Sequence, residues 1–126
     1  MSSDRYAAPA TEGSVYDAPR MLPREQRDKA ELGGPPSSTF WDFADFDNWQ
    51  GVHTVNVPFK GSVIVNAQSQ IVGSITELNA GGTPFIGSAT VQVFNIVPLD
   101  DSTAWVRAQV AWDHPLKVRL NFIIAN

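Results

Sequence analysis

The chain has 126 residues, a net charge of −4 and a sequence pI of about 4.9. That balance excludes a protein whose main partner is nucleic acid, because phosphate binding needs clustered Lys and Arg. There is no cysteine, which removes disulfides, thiolate chemistry and Cys-based zinc sites together.

Charged residues make up only 17% of the chain, against roughly 25% in typical soluble domains. A surface so poor in charge is one that another subunit, or the chain's own arm, covers in part. No segment approaches the roughly 18 consecutive apolar residues that a spanning helix needs, so no membrane span is expected. Met1 to Ala10 carries Asp4, Arg5 and Pro9 with no apolar run. That pattern points away from an export leader and toward a cytoplasmic protein or a component of an assembled particle.

Residues 1–39 mix six acids and five bases with many Pro, Gly, Ser and Ala and few large apolar side chains. Such a segment buries too little surface to offset its ordering entropy, so it reads as an extended arm. Within it, Pro23 to Leu32 predicts a short polar helix near 23–32. Proline stands at a possible first helical position, Glu25 and Lys29 are four apart, and Gly33-Gly34 followed by Pro35-Pro36 forms a stop.

Phe40 to Gln50, FWDFADFDNWQ, holds five of the thirteen aromatics interleaved with Asp42, Asp45 and Asp47. Neither the helical nor the strand period separates the aromatics from the acids. The segment therefore reads as an irregular plug that buries its aromatics against the β-rich remainder of the chain and keeps its acids wet.

From Val52 onward the pattern is β throughout. Val52–Lys60 reads as a first strand with Val55, Val57 and Phe59 on one side, and Pro58 marks an edge or an end. Ser62–Ala67 and Gln70–Leu78 read as a hairpin through Gln68-Ser69, with Gly73 a candidate bulge. A loop from Asn79 to Pro84 leads into a long strand over Phe85–Val97. After the turn at Pro98 to Asp101, Ser102–Trp112 and Leu116–Ile124 alternate cleanly and read as two strands joined at Asp113-His114-Pro115. The expected fold class is all-β: an antiparallel β-sandwich or flattened barrel, jelly-roll-like, of about six to eight strands, occupying residues 40–126.

Strand phase yields a candidate surface. If the last two strands pair through their turn, Val110 lies opposite Val118 and Arg107 opposite Asn121. With Ala89, Val91, Val93 and Val97 facing inward, Val93 pairs with Ala108 and Phe94 with Arg107. One end of the outer face then carries Ile96, Trp105 and Ile123, with Phe94 beside them. Together with Phe40, Trp41 and Phe43 of the plug, these residues are the expected interface with other copies of the chain. The polar end joins Trp105 to Arg107, Asn121, Gln109, Gln92 and Arg119. An aromatic platform beside planar polar groups suits a carbohydrate ligand.

Residues with catalytic potential are few. Asp113-His114 is the one acid–histidine neighbour pair, and a solvated turn explains it as well as chemistry does. His53 reads as an ordinary half-buried strand residue. Asp45-x-Asp47-Asn48 resembles a calcium loop only loosely, since Trp49 stands where a ligand belongs and no bidentate Glu comes after it at the proper distance. Asp100-Asp101 is most simply a polar turn. Gly81-Gly82 lacks the lysine and helix of a phosphate loop, and no metal or cofactor motif is present. The favoured function is a non-enzymatic assembly subunit of the particle-shell or decoration type, oligomerising through the outer patch and the arm. A carbohydrate-binding sandwich is the first alternative, and a small-ligand or enzymatic barrel the second.

Overall fold

The computed structural model describes residues 16–23 and 39–126. These form seven strands and no helix: β1 (Arg20–Met21), β2 (Thr39–Trp49), β3 (Gly51–Pro58), β4 (Gln70–Leu78), β5 (Thr90–Pro98), β6 (Thr103–Ala111) and β7 (Leu116–Ala125). All pairings are antiparallel. One sheet, sheet A, runs β1-β2-β7-β4, and the other, sheet B, runs β3-β6-β5. The chain is an all-β antiparallel sandwich. The helix expected near 23–32 lies, Pro23 apart, outside the described residues, as does most of the 1–39 arm. Arg20 and Met21 of that arm form a strand that adds to β2 opposite Asp47 and Phe46.

The core is the sum of the inward rows. β6 contributes Ala104, Val106, Ala108 and Val110, and β7 contributes Val118, Leu120, Phe122 and Ile124, all buried. Fully burying one such Val, Leu, Ile or Phe side chain is worth about 1.5–3 kcal/mol. Each of these strands is flanked on both sides, β6 by β3 and β5, β7 by β2 and β4. Their central position explains why their alternation is the cleanest in the chain.

The two strands do not pair with each other. Residues 112–115 carry the chain from sheet B to sheet A, so the rows of β6 and β7 meet across the core instead of lying side by side. The expected pairs Val110–Val118 and Arg107–Asn121 are therefore absent. Alternation reports which side of a strand is buried, and the same pattern suits a partner beside it or opposite it.

The segment read as an irregular plug is strand β2. Phe40, Asp42, Ala44 and Phe46 point inward, while Trp41, Phe43, Asp45 and Asp47 point outward. Both faces do mix aromatics with acids, and the strand form survives because the acids are satisfied. Asp42 is buried, and its carboxylate accepts the amide hydrogens of Phe43 at 2.8 Å and Lys60 at 3.1 Å. These bonds offset the desolvation that an unpartnered carboxylate would suffer there.

Only Gln50 separates β2 from β3, yet the two strands belong to different sheets. Asn48 (φ 63°) and Gly51 (φ 84°) adopt the left-handed backbone that turns this corner. Trp49 fixes it from inside: it is fully buried, packs edge-on to Phe46 at 5.1 Å, and donates its indole N–H to the Gly51 carbonyl at 3.2 Å.

Two further expectations are corrected. Ser62–Ala67 is not a strand. Val63 and Val65 are buried in strand-like alternation, but side chains satisfy much of the backbone. The Val65 carbonyl accepts from Ser102 Oγ, the Ile64 carbonyl from Asn126 Nδ2, and Asp100 accepts from the Ala67 amide. The long strand begins at Thr90, not Phe85, and it shifts register between Val93 and Asn95. Val93 does face Ala108, but Asn95, not Phe94, faces Arg107. The shift turns Ile96 inward, where it packs against the core.

Candidate functional site

The outer face of sheet A is laid out in rows across three strands. Trp41, Ile123 and Val72 stand in one row, Phe43, Asn121 and Ser74 in the next, and Asp45, Arg119 and Thr76 in a third. Strand alternation sends all nine to the same side. Cross-strand neighbours of this kind lie about 4.5–5.5 Å apart and act as one surface.

The first row is apolar and open to water. Val72 is 70% exposed, Ile123 56% and Trp41 42%. The third row is a closed electrostatic unit. Arg119 donates to both oxygens of Asp45, at 2.6 and 3.1 Å, and its guanidinium lies over the Phe43 ring at 4.3 Å. The hydrogen bond to Asp45 holds the Arg119 pKa above its ordinary value, helped by the carboxylate charge and opposed by burial. The middle row mediates: Asn121 Nδ2 donates to Ser74 Oγ at 3.2 Å and to Thr76 Oγ1 at 3.0 Å. Between the apolar row and these polar rows runs an open groove of about 520 Å³, walled by Trp41, Phe43, Val72, Ser74, Asn121 and Ile123.

The outer face of sheet B is different. Its rows are Val52, Gln109 and Gln92; Thr54, Arg107 and Asn95; and Asn56, Trp105 and Val97. Arg107 Nε donates to Thr54 Oγ1 at 3.1 Å, Gln92 Nε2 to Gln109 Oε1 at 3.2 Å, and Asn56 Nδ2 to Thr103 Oγ1 at 3.0 Å. Trp105 lies among these groups with its indole N–H buried and no acceptor for it among the described residues.

The residues expected to form one patch are thus divided. Ile123, Trp41 and Phe43 share the face of sheet A, Trp105 and Phe94 belong to the strands of sheet B, and Ile96 and Phe40 sit in the interior. The expected sugar-binding group splits in the same way. Trp105, Arg107, Gln109 and Gln92 lie on one side of the sandwich, and Asn121 and Arg119 on the other. The cause is the crossing at residues 112–115, which removes β7 from the sheet where the pairing had placed it. Sequence reading missed Val72 and Ser74. The alternation of Gln70, Val72, Ser74 and Thr76 was visible, but their neighbours appear only once β4 is known to flank β7.

The remaining candidates fall into structural settings. His114 and Asp113 pair at 2.7 Å on an exposed turn. His53 is buried beside Trp49 and donates from Nε2 to the Gln50 carbonyl at 2.7 Å. Asp42 faces inward, Asp45 is held by Arg119, and Asp47 pairs with Arg20 at 3.2 Å, so these acids do not converge on a cation. Among the described residues no three His, Asp or Glu gather as a metal site, and none forms a helix long and apolar enough to cross a membrane.

The fold and this face define an antiparallel β-sandwich with one polar and one partly apolar outer surface. Compared with protein-family models, curated proteins and solved structures, the chain gives no match.

Proposed function

We propose that this chain is a non-enzymatic assembly subunit that associates with further copies of itself through the outer face of sheet A. The observation that carries this reading is the exposed row of Trp41, Ile123 and Val72, contiguous across three strands. Soluble monomers rarely leave such a row to water, and a polar border of this kind is typical of a contact surface. The low charge content supports the same reading. So does the nested pairing of β2 with β7 and β3 with β6, which favours a jelly-roll-like subunit of the shell or decoration type. Docking of the 1–39 arm onto a neighbour belongs to the proposal as a second contact.

Light scattering over a concentration series tests it. The wild-type chain is expected to run as an oligomer and Ile123→Asp as a single chain with unchanged circular dichroism. A chain beginning at Ser38 is expected to show weakened association. A wild-type protein of 13.7 kDa at every soluble concentration overturns the reading.

A carbohydrate-binding role is favoured by one observation of its own: Trp41 shares the groove with Asn121 and Ser74, an aromatic platform beside groups able to bond hydroxyls. Quenching of tryptophan fluorescence by simple pyranosides, lost in Trp41→Ala, would support it, and silence across a glycan array would remove it. A ligand-holding barrel has less support, because Trp49, Phe46, Leu120 and Ile124 occupy the space between the sheets.

A further inference from the structure

The loop between β4 and β5 ends in an apolar tip. Ile86 is 100% exposed, and Phe85 beside it is exposed as well. The turn leading to this tip is tightly bonded. Asn79 Oδ1 accepts the amides of Gly81 at 2.9 Å and Thr83 at 3.0 Å, and the Asn79 amide donates to the Thr83 carbonyl at 2.9 Å. Gly82 takes the left-handed backbone at φ 84°. Pro84 bridges to Leu78, the Phe85 amide donates to the Glu77 carbonyl at 3.1 Å, and Lys117 Nζ donates to the Ala80 carbonyl at 3.3 Å. Gly87 lets the chain pass Glu77 closely, since a Cβ there would collide with the Glu77 carboxylate. Phe85 and Ile86 are therefore presented on a base that is already ordered, and their burial against a partner loses little backbone entropy.

The same chain carries a receptor for such a tip. The groove on sheet A is walled by Trp41, Phe43, Val72 and Ile123, and at about 520 Å³ it has room for two apolar side chains. Knob and groove lie at opposite ends of β4: the groove is at Val72, and the loop departs after Leu78. The tip folds back beside Glu77, about 17 Å along the strand from Val72, and with Ile86 100% exposed it does not fill its own groove. No charged side chain stands between Glu77 and Asp100, so the tip itself brings no charge into the groove, whose Arg119 is already paired with Asp45. That neutrality, in a chain of net charge −4, also disfavours capture by an anionic lipid surface, which requires basic residues near the inserted tip.

We infer that the Phe85-Ile86 tip of one copy inserts into the sheet-A groove of the next, at Trp41, Val72 and Ile123. Two different surfaces meet in this contact, so it is head-to-tail and builds a ring or a filament, not a two-fold dimer. The inference rests on the proposed self-association and adds which surface fills the groove.

Complementation tests it. Ile86→Asp keeps the groove and loses the tip, whereas Ile123→Asp keeps the tip and loses the groove. Each alone is expected to run as a single chain in light scattering, with circular dichroism like that of the wild type. Mixed in equal amounts they are expected to form a complex of two chains and no larger species, because one competent tip then meets one competent groove. Phe85→Ser is a second tip variant and should weaken association in the same direction.

If Ile123→Asp is a single chain but Ile86→Asp still assembles, the face is a contact and the tip is not its occupant, which overturns this inference alone. If both variants are single chains and their mixture stays so, the tip and groove do not serve each other, and the inference again fails. If the wild type is itself a single chain, the proposed function and the inference fall together. Ile86-dependent sedimentation with phosphatidylcholine vesicles would then assign the tip to a lipid surface.

Discussion

The outer faces of the two sheets make an instructive pair. Each is laid out on three neighbouring antiparallel strands, β2, β7 and β4 of the four in sheet A and all three of sheet B, with side chains alternating inward and outward. On sheet B much of the outward polar surface bonds across strands, through Arg107 to Thr54, Gln92 to Gln109 and Asn56 to Thr103. On sheet A the bonded units Asp45–Arg119 and Asn121–Ser74 stop short of one row, which holds Trp41, Ile123 and Val72. Alternation alone accounts for the inner faces. What distinguishes the outer faces is that sheet A carries a contiguous apolar row open to water, and that row is where a partner is expected.

Variants that separate the faces from the core should rank by how much each one buries or bonds. Leu120→Ala removes a fully buried side chain beneath the sheet-A face. It is expected to cost about 2–5 kcal/mol in denaturant unfolding, by lost burial plus the cavity left behind. Asp42→Ala leaves the Phe43 and Lys60 amides without their carboxylate acceptor. It should destabilise by about 1–3 kcal/mol, and the unfolding midpoint of this variant beside Asp42→Asn would show how much the charge itself contributes.

The arginine pair sharpens the comparison directly. Arg119→Met strands the partly buried Asp45 carboxylate and removes the guanidinium from the Phe43 ring. A loss of about 1.5–3 kcal/mol is expected from these charge-assisted bonds. Arg107→Met loses its bond to the neutral Thr54 hydroxyl, and a smaller loss than that of Arg119→Met is expected because no carboxylate is left behind. Equal losses in the two melts would contradict the claim that the faces are organised differently. Smallest of all should be Val72→Thr, within about 0.5 kcal/mol of the wild type in stability, although association weakens.

How much the sequence reveals divides along the same line. The inward sets of β6 and β7, the extent of β3 and β4 and the sandwich class all rest on period-2 alternation, a local property. Three features are not legible because they depend on distant parts of the chain. Whether β7 lies beside β6 or across from it is decided by what flanks each strand, and that placement splits the expected surface in two. The strand character of β2 is hidden because Asp42 occupies an inward position, made tolerable in part by the amide of Lys60 eighteen residues away. The bulge at Phe94 shifts the phase of β5, so Ile96 and not Val97 reaches the interior. Trp41, Phe43 and Ile123 do share a face, but for reasons of strand order that the expected register does not contain.

The most direct measurement is hydroxyl-radical footprinting of the wild-type chain, dilute and concentrated, read side chain by side chain with mass spectrometry. Concentration is expected to protect Trp41, Val72 and Ile123 on sheet A and to leave Phe94 and Trp105 on sheet B as reactive as in the dilute sample. Protection centred on Phe94 and Trp105, or none on either sheet while the mass rises, would contradict it.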